Sequence, residues 1–187
     1  MPGWLQLTDH DYYRVGGMLY NRPLPGNGGL DVTFEQYQYG TGGAGADGIG
    51  FFLVDGSVDL TKAGANGGSL GYAQRNLETG VDGGYLGVGP DAYGNFANDA
   101  ELRGNGCPDD QKSSVTSRLP VPDTVTLCGP GQGDDGYCFL DSTIEATPPS
   151  RPASAPRSPA ACVSRGPTRS PPSAPCTSRS ARRPGRP

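Results

Sequence analysis

Short apolar runs interrupted by glycine, asparagine and aspartate restrict the fold of this chain more than any other feature. Residues 1–145 contain 29 of the 31 glycines and every aromatic residue. Glycine and short polar residues favour turns, and short apolar runs between turns are typical of strands. At residues 4–8 and 30–37, apolar and polar side chains alternate, as in a strand with one covered face. The pattern predicts an all-β domain with many turns.

A change of composition at residue 146 divides the chain in two. Residues 146–187 contain eight arginines and eleven of the nineteen prolines, and no lysine, acidic or aromatic residue. Because this segment has too few apolar side chains to bury a core, we expect a disordered tail. Residues 1–145 hold the other seven basic residues and all nineteen acidic ones, a charge of −12. The abrupt change favours sequence read out of frame; the alternative is a genuine basic tail that would bind nucleic acid only non-specifically.

The loop after residue 90 places three oxygen atoms in a pattern that suits a hard cation. Asp91 offers a carboxylate, Tyr93 a main-chain carbonyl and Asn95 a side-chain amide, each two residues from the next. Calcium takes six to eight oxygen ligands, and such a loop would supply one edge of a site. Asp and Asn are also ordinary turn residues, so the spacing has a plain structural interpretation as well.

Two further stretches give this loop its context. The chain reads ADGIGFFL at 46–53, GGSLG at 67–71 and VGPDAYGN at 88–95. In this order the three stretches resemble the motifs of the legume-type (L-type) lectins and their bacterial relatives. That family has a concanavalin A-like fold. The resemblance implies an antiparallel β-sandwich (jelly roll), here incomplete, over residues 1–145.

The resemblance implies a role for several residues. For carbohydrate binding it implies Asp47, which in the family often follows a cis peptide bond, the main chain of Gly68, and the side chain of Asn95. For calcium it implies Asp91, the Tyr93 carbonyl, Asn95 and Asp99. Phe96 is the aromatic residue that we select for stacking on a sugar ring. Without the resemblance, we would interpret Asp47 and Gly68 as turn residues.

The chain departs from the family pattern next to the predicted calcium loop. Gly89 stands where plant members carry the glutamate of a transition-metal site, and Pro90 replaces an apolar strand residue. The family's metal-binding histidine should follow Asn95, and the chain has no histidine there. We therefore expect calcium and do not expect a transition metal.

Enzyme signatures are incomplete in this sequence. Asp31 and Glu35 share a predicted strand face, but their backbones are ~13 Å apart and Thr33 occupies the middle position. A retaining glycosidase needs two carboxyl groups about 5–5.5 Å apart. Ser69 lies in a G-x-S-x-G stretch, but no histidine follows it to accept the serine proton. The sequence favours calcium-assisted, non-catalytic glycan binding; the alternative is a structural or adhesive sandwich that has lost sugar and metal.

The cysteines and the ends of the chain give further expectations. Cys128 and Cys138 lie on two predicted strands and would form a cross-strand disulfide if those strands pair, which leaves Cys107 free; three free thiols are the alternative. No signal peptide precedes the first predicted strand, and no apolar run approaches the ~18 residues of a membrane helix. The resemblance implies an extracellular protein whose first strand and secretion signal are missing from this frame. The sugar and the oligomeric state stay open.

Overall fold

The computed structural model of the chain describes residues 3–39, 45–113, 115 and 119–146. Its strands are β1 (Phe51–Val54), β2 (Gly84–Asp91), β3 (Thr124–Cys128), β4 (Gly131–Gln132), β5 (Asp135–Gly136) and β6 (Phe139–Ser142). Short 3-10 segments lie at Gly67–Ser69, Ala100–Leu102, Asp109–Gln111 and Thr143–Ala146. All strand pairs are antiparallel and belong to one sheet, so the all-β prediction is confirmed. Within the described residues, no helix has the length and apolar character needed to cross a bilayer.

Strand β2 is the centre of the sheet. Gly87 pairs with Phe52 of β1 and also with Cys128 of β3, so these two strands flank β2 on opposite sides. Strand β6 lies beyond β3, and the β4–β5 hairpin joins the sheet next to the start of β2 at Gly84. The carboxyl end of β2 therefore leads out of the middle of the sheet into the loop that begins at Asp91.

Glycines in β2 leave room for aromatic rings on the sheet. A Cβ added at Gly87 would overlap the ring of Tyr72, and one added at Gly89 would overlap the ring of Phe96. A strand rich in glycine loses side-chain packing of its own and often marks a close approach of another group. Here the rings come from the loops that follow the second and third sequence motifs. The glycines thus bring both loops down onto the middle of the sheet.

The apolar core is small and depends on three large aromatic residues. Tyr72 contacts Tyr137 edge to face, with ring centroids 5.2 Å apart. The Tyr72 hydroxyl donates to the Gly129 carbonyl at 2.7 Å, and the Tyr137 hydroxyl donates to the Val81 carbonyl at 2.8 Å. Buried hydroxyls with such partners do not carry the cost of lost hydration. The buried members of the core are Leu60, Tyr72, Ala73, Val81, Phe96, Cys128 and Tyr137.

The disulfide differs from the predicted one. Cys107 is bonded to Cys138, with 5.5 Å between the Cα atoms, and Cys128 is a free, buried thiol. The strand register gives the reason. Cys128 on β3 faces Phe139 on β6, so Cys138 is not its cross-strand partner. Cys138 reaches instead the long loop between β2 and β3, which sequence patterns did not place against β6.

The predicted strands at 4–8 and 30–37 are wrong, because no strand is assigned between residues 3 and 39. Alternation makes a strand only where a neighbouring strand offers backbone partners and a surface to cover. Leu30, Val32 and Phe34 are about half exposed, at 52%, 46% and 53%. Phe34 still stacks on Phe51 of β1, with ring centroids 5.8 Å apart. The predicted tail, 146–187, lies outside the described residues except for Ala146.

Candidate functional site

The loop that contains Asp47 is hydrogen-bonded to the end of β2. The Asp47 carbonyl accepts hydrogen bonds from the N–H groups of Ala92, at 3.0 Å, and Tyr93, at 2.9 Å. The Ile49 N–H donates to the Pro90 carbonyl at 3.0 Å. These bonds extend the antiparallel pairing of β1 with β2 to residues that precede β1 and to the first residues after β2. The first and third sequence motifs therefore form one surface.

The glycine loop at 67–71 lies against both of the other motifs. A Cβ added at Gly68 would overlap the Cβ of Asn95 and lie 3.2 Å from its Cγ. Gly67 has a φ of +63°, and a Cβ there would lie 3.7 Å from Asp47 Oδ2. Neither position accommodates a side chain without a shift of its neighbour. The structure thus places Gly68 against Asn95 and the adjacent Gly67 near Asp47, so the three stretches meet at one place.

The environment of Asp47 is partly buried and electrostatically mixed. Burial raises the pKa of Asp47, and the nearby Asp91 carboxylate raises it further, while Arg75 and Arg103 act in the opposite direction. The Ala46–Asp47 peptide bond is cis, the geometry that the resemblance implies at this position. A half-buried carboxylate that solvent still reaches is a hydrogen-bond acceptor for a polar ligand.

Asp91 closes the loop that carries Asn95. Its side chain is buried, with a relative exposure of 2%. Oδ1 accepts from the Tyr93 N–H at 3.0 Å and the Gly94 N–H at 2.7 Å, and Oδ2 accepts from the Phe96 N–H at 2.7 Å. Burial raises the pKa of Asp91, whereas these three bonds lower it. Through these three hydrogen bonds the Asp91 carboxylate holds residues 91–96 in a closed loop.

The predicted calcium ligands do not form an open set of oxygens. Both carboxylate oxygens of Asp91 are engaged by main-chain N–H groups, and Asn95 Oδ1 accepts from Asn98 Nδ2 at 3.2 Å. Asp99 Oδ2 accepts from the Ser113 N–H at 2.9 Å, so this carboxylate holds a different part of the chain. Among the described residues, no group of three or more His, Cys, Asp or Glu is placed to hold a metal ion. As arranged, these oxygens act as hydrogen-bond acceptors for different segments of the chain and are not gathered into one set of calcium ligands.

The structure places Phe96 in the core. Its relative exposure is 3%, and its ring covers Gly89 of β2. Because the Phe96 N–H is bound to Asp91, the side chain is directed towards the sheet and has no free face for a sugar ring. We therefore remove Phe96 from the candidate site. Tyr93, with 37% relative exposure, is the aromatic side chain of this loop that reaches the surface.

Two arginines complete the site, and the sequence motifs did not identify them. Arg103 is buried, with 4% relative exposure, and its Nη1 lies 3.3 Å from the Cβ position of Gly68. Arg75 Nη1 lies 2.5 Å from the Cβ position of Gly67, and Arg75 Nη2 pairs with Glu78 at 2.7 Å. Neither arginine lies in a motif or at a periodic spacing. Only the folding of the loops onto each other brings them to the glycines.

The comparisons with known proteins give no relative. No protein-family model, curated protein or solved structure matches this chain. The resemblance to the L-type lectins is therefore carried by the three sequence motifs. The shared surface of Asp47, Gly68 and Asn95 is the observation from which a function is inferred.

Proposed function

We propose that the chain binds carbohydrate, without catalysis, at the surface formed by Asp47, Gly68 and Asn95. The convergence of these residues from three separate stretches is the observation that supports the proposal. A sugar hydroxyl both donates and accepts, so it needs acceptors and donors side by side. The Asp47 carboxylate supplies the acceptor. The Gly68 N–H and the Asn95 Nδ2 group supply the donors.

The position of Gly68 suits a main-chain donor. Gly68 lies in the 3-10 segment Gly67–Ser69, in which the Ser69 N–H donates to Asn66 and the Leu70 N–H donates to Gly67. N–H groups at the first positions of a helical segment have no acceptor within it. The space that a Gly68 Cβ would take is filled by Asn95 and Arg103, so glycine at this place brings the main chain against those two side chains.

The acid groups of the site support binding more than catalysis. Asp91 is buried and accepts three main-chain hydrogen bonds, so its carboxylate is committed to the loop. Asp47 remains as the acceptor that a ligand can reach. Hydrolysis of a glycosidic bond ordinarily uses two carboxyl groups, one on each side of the bond. Glu101, an exposed carboxylate that also acts on Asp47, is paired with Arg103 Nη1 at 2.8 Å, so Asp47 is the better placed of the two to recognise hydroxyl groups.

In this proposal the antiparallel sheet supports the sandwich fold, and the disulfide supports the secreted location. The antiparallel sheet suits one layer of a concanavalin A-like sandwich, and outside its strands Leu30, Val32 and Phe34 leave apolar side chains half exposed. The Cys107–Cys138 disulfide suits an oxidising, extracellular compartment. We include both the sandwich and the secreted location in the proposal.

A glycan array probed with the full chain tests the proposed function. We expect glycan binding that is lost in Asp47→Asn and in Asn95→Ala, because each change removes one of the ligand-binding groups. Asp31→Asn and Asn27→Ala are the matched controls, since both residues are exposed and lie in the segment between 3 and 39. A folded wild-type chain that retains no glycan would contradict the proposal and favour the structural or adhesive alternative.

A further inference from the structure

We propose that Arg103, acting through Asn98, fixes the orientation of the Asn95 amide, so that this binding loop is organised by hydrogen bonds and not by calcium. The inference rests on the proposed function, because Asn95 is the donor that the network would position. Arg103 and Asn98 are positioning residues in this account and do not contact the ligand.

The first step is the orientation of Asn95. Its Oδ1 accepts from Asn98 Nδ2 at 3.2 Å, and its carbonyl accepts from the Asn98 N–H at 3.1 Å. The amide oxygen is therefore turned towards Asn98, and the two Nδ2 hydrogens are left for a ligand. In this orientation Oδ1 serves the Asn98 side chain as a hydrogen-bond acceptor.

The second step is the orientation of Asn98, which is buried with 2% relative exposure. Its Oδ1 accepts from Arg103 Nη2 at 2.7 Å and from the Ala100 N–H at 3.0 Å. Two donors on this oxygen determine which end of the amide is the oxygen, and hence that Nδ2 points to Asn95. Arg103 Nε also donates to the Asn98 carbonyl, at 3.0 Å. The fixed fork of a guanidinium can bind both oxygens of one residue, whereas a lysine ammonium acts as a point charge.

The third step is the charge of the buried guanidinium. Arg103 Nη1 pairs with Glu101 Oε2 at 2.8 Å, which gives the buried cation a partner. Burial raises the pKa of Asp91 and of Asp47, and the positive charge of Arg103 opposes that rise. In the family that this chain resembles, calcium supplies a positive charge next to the binding loop. Here the guanidinium supplies one.

The fourth step is the closure of the loop itself. Asp91 holds Tyr93, Gly94 and Phe96 by their N–H groups, a task that needs both of its carboxylate oxygens. With Asp91 committed to the loop and Asn95 Oδ1 committed to Asn98, the shape of residues 91–98 is determined by groups of the chain.

Calcium dependence is the first test and needs no glycan. The full chain is dialysed against chelator, and its thermal unfolding and the heat of calcium addition are measured. We expect the same melting temperature with calcium and with chelator, and no saturable heat of binding. A rise of several degrees with calcium, or a stoichiometric binding isotherm, would overturn the proposal.

The second test reads the orientation of Asn95 directly. The side-chain amide resonances of Asn95 are assigned by NMR in the wild type and in Arg103→Lys, with Arg14→Lys as control because Arg14 forms an exposed ion pair with Asp9. We expect Arg103→Lys to shift these resonances, and Arg14→Lys to leave them in place. Unchanged Asn95 resonances in folded Arg103→Lys would refute the network, because the network requires the Arg103 guanidinium to fix that amide through Asn98.

Glycan affinity links the network to function. We expect Arg103→Lys to weaken binding by about tenfold, close to the loss of one oriented hydrogen bond, at temperatures well below its melting point. Unchanged affinity would contradict the positioning role. If the folded wild type binds no glycan but the calcium and NMR results hold, the proposed function fails while the network stands, so the two failures are distinguishable.

Discussion

At Gly68 the main chain passes so close to the Asn95 side chain that no Cβ fits between them. This contact joins the second and the third sequence motif, because a larger residue at position 68 would displace Asn95. The residues that the motifs identified, Asp47, Gly68 and Asn95, do lie together. Arg103 could not be predicted, because a buried arginine is defined by the loops that cover it and not by its neighbours in the sequence.

Substitution of Gly68 tests this contact. We expect Gly68→Ala to displace Asn95 and to weaken glycan binding at least about tenfold, because the donor moves away from its place. The added methyl group also strains the fold, so the melting temperature should fall. Gly28→Ala is the control, since a Cβ at Gly28 has nothing within 4 Å. Equal affinity in Gly68→Ala and the wild type would contradict the assignment of Asn95 to the site.

The raised pKa of Asp47 predicts a pH dependence of stability. Because burial raises this pKa in the folded state, the folded chain binds more protons at Asp47 than the unfolded chain does between the two pKa values. The free energy of unfolding contributed by Asp47 therefore falls as the pH rises through this window. We expect Asp47→Asn to gain stability relative to the wild type as the pH rises, and Asp31→Asn to follow the wild type. Denaturant unfolding over a pH series measures this difference, and a constant difference would contradict it.

At the scale of elements, the Asp91 carboxylate holds the loop after β2, and the glycines of β2 leave room for aromatic rings on the sheet. The sequence correctly predicted a strand at Cys128, the last residue of β3, which has a partner strand on each side. It failed between residues 3 and 39, where alternation is present but no strand is assigned. It also failed for Phe96, because the glycine that accepts its ring lies seven residues earlier on β2.

Removal of the Asp91 carboxylate tests its role in closing the loop after β2. We expect Asp91→Ala to lower the free energy of unfolding by about 2–4 kcal/mol, because three main-chain N–H groups, two of them buried, lose their acceptor and only one buried carboxyl group is relieved. Asp31→Ala, at an exposed position, should change it by less than about 0.5 kcal/mol. Denaturant unfolding gives both values. A loss at Asp91 no larger than at Asp31 would show that the loop is closed by other groups.

At the scale of the whole molecule, the covalent and apolar parts of the core are separate. The disulfide joins Cys107 to Cys138, while Cys128 belongs to the apolar core beneath Tyr72 and Phe96. The sequence could not select between these cysteines, because the choice depends on the register of β3 with β6. The described strands form one sheet, and the second layer of a sandwich is part of the proposal.

Thiol reactivity tests this arrangement of the cysteines. Burial raises the pKa of the Cys128 thiol to about 12, so the reactive thiolate is scarce at neutral pH. We expect Cys128 to resist alkylation in the native chain and to react quickly after unfolding, while Cys107 and Cys138 react only after reduction. Residue-level mass spectrometry measures all three. Rapid native alkylation of Cys128, or a Cys128–Cys138 linkage, would contradict the fold.

The central claim is that Asp47, Gly68 and Asn95 form one carbohydrate-binding surface. The most direct measurement is an NMR titration of the full chain with a glycan selected on the array. The account predicts that the main-chain signals of Asp47 and Gly68 and the side-chain amide of Asn95 shift together, with one dissociation constant and with chelator present. Saturable binding that leaves these three residues unmoved would contradict it.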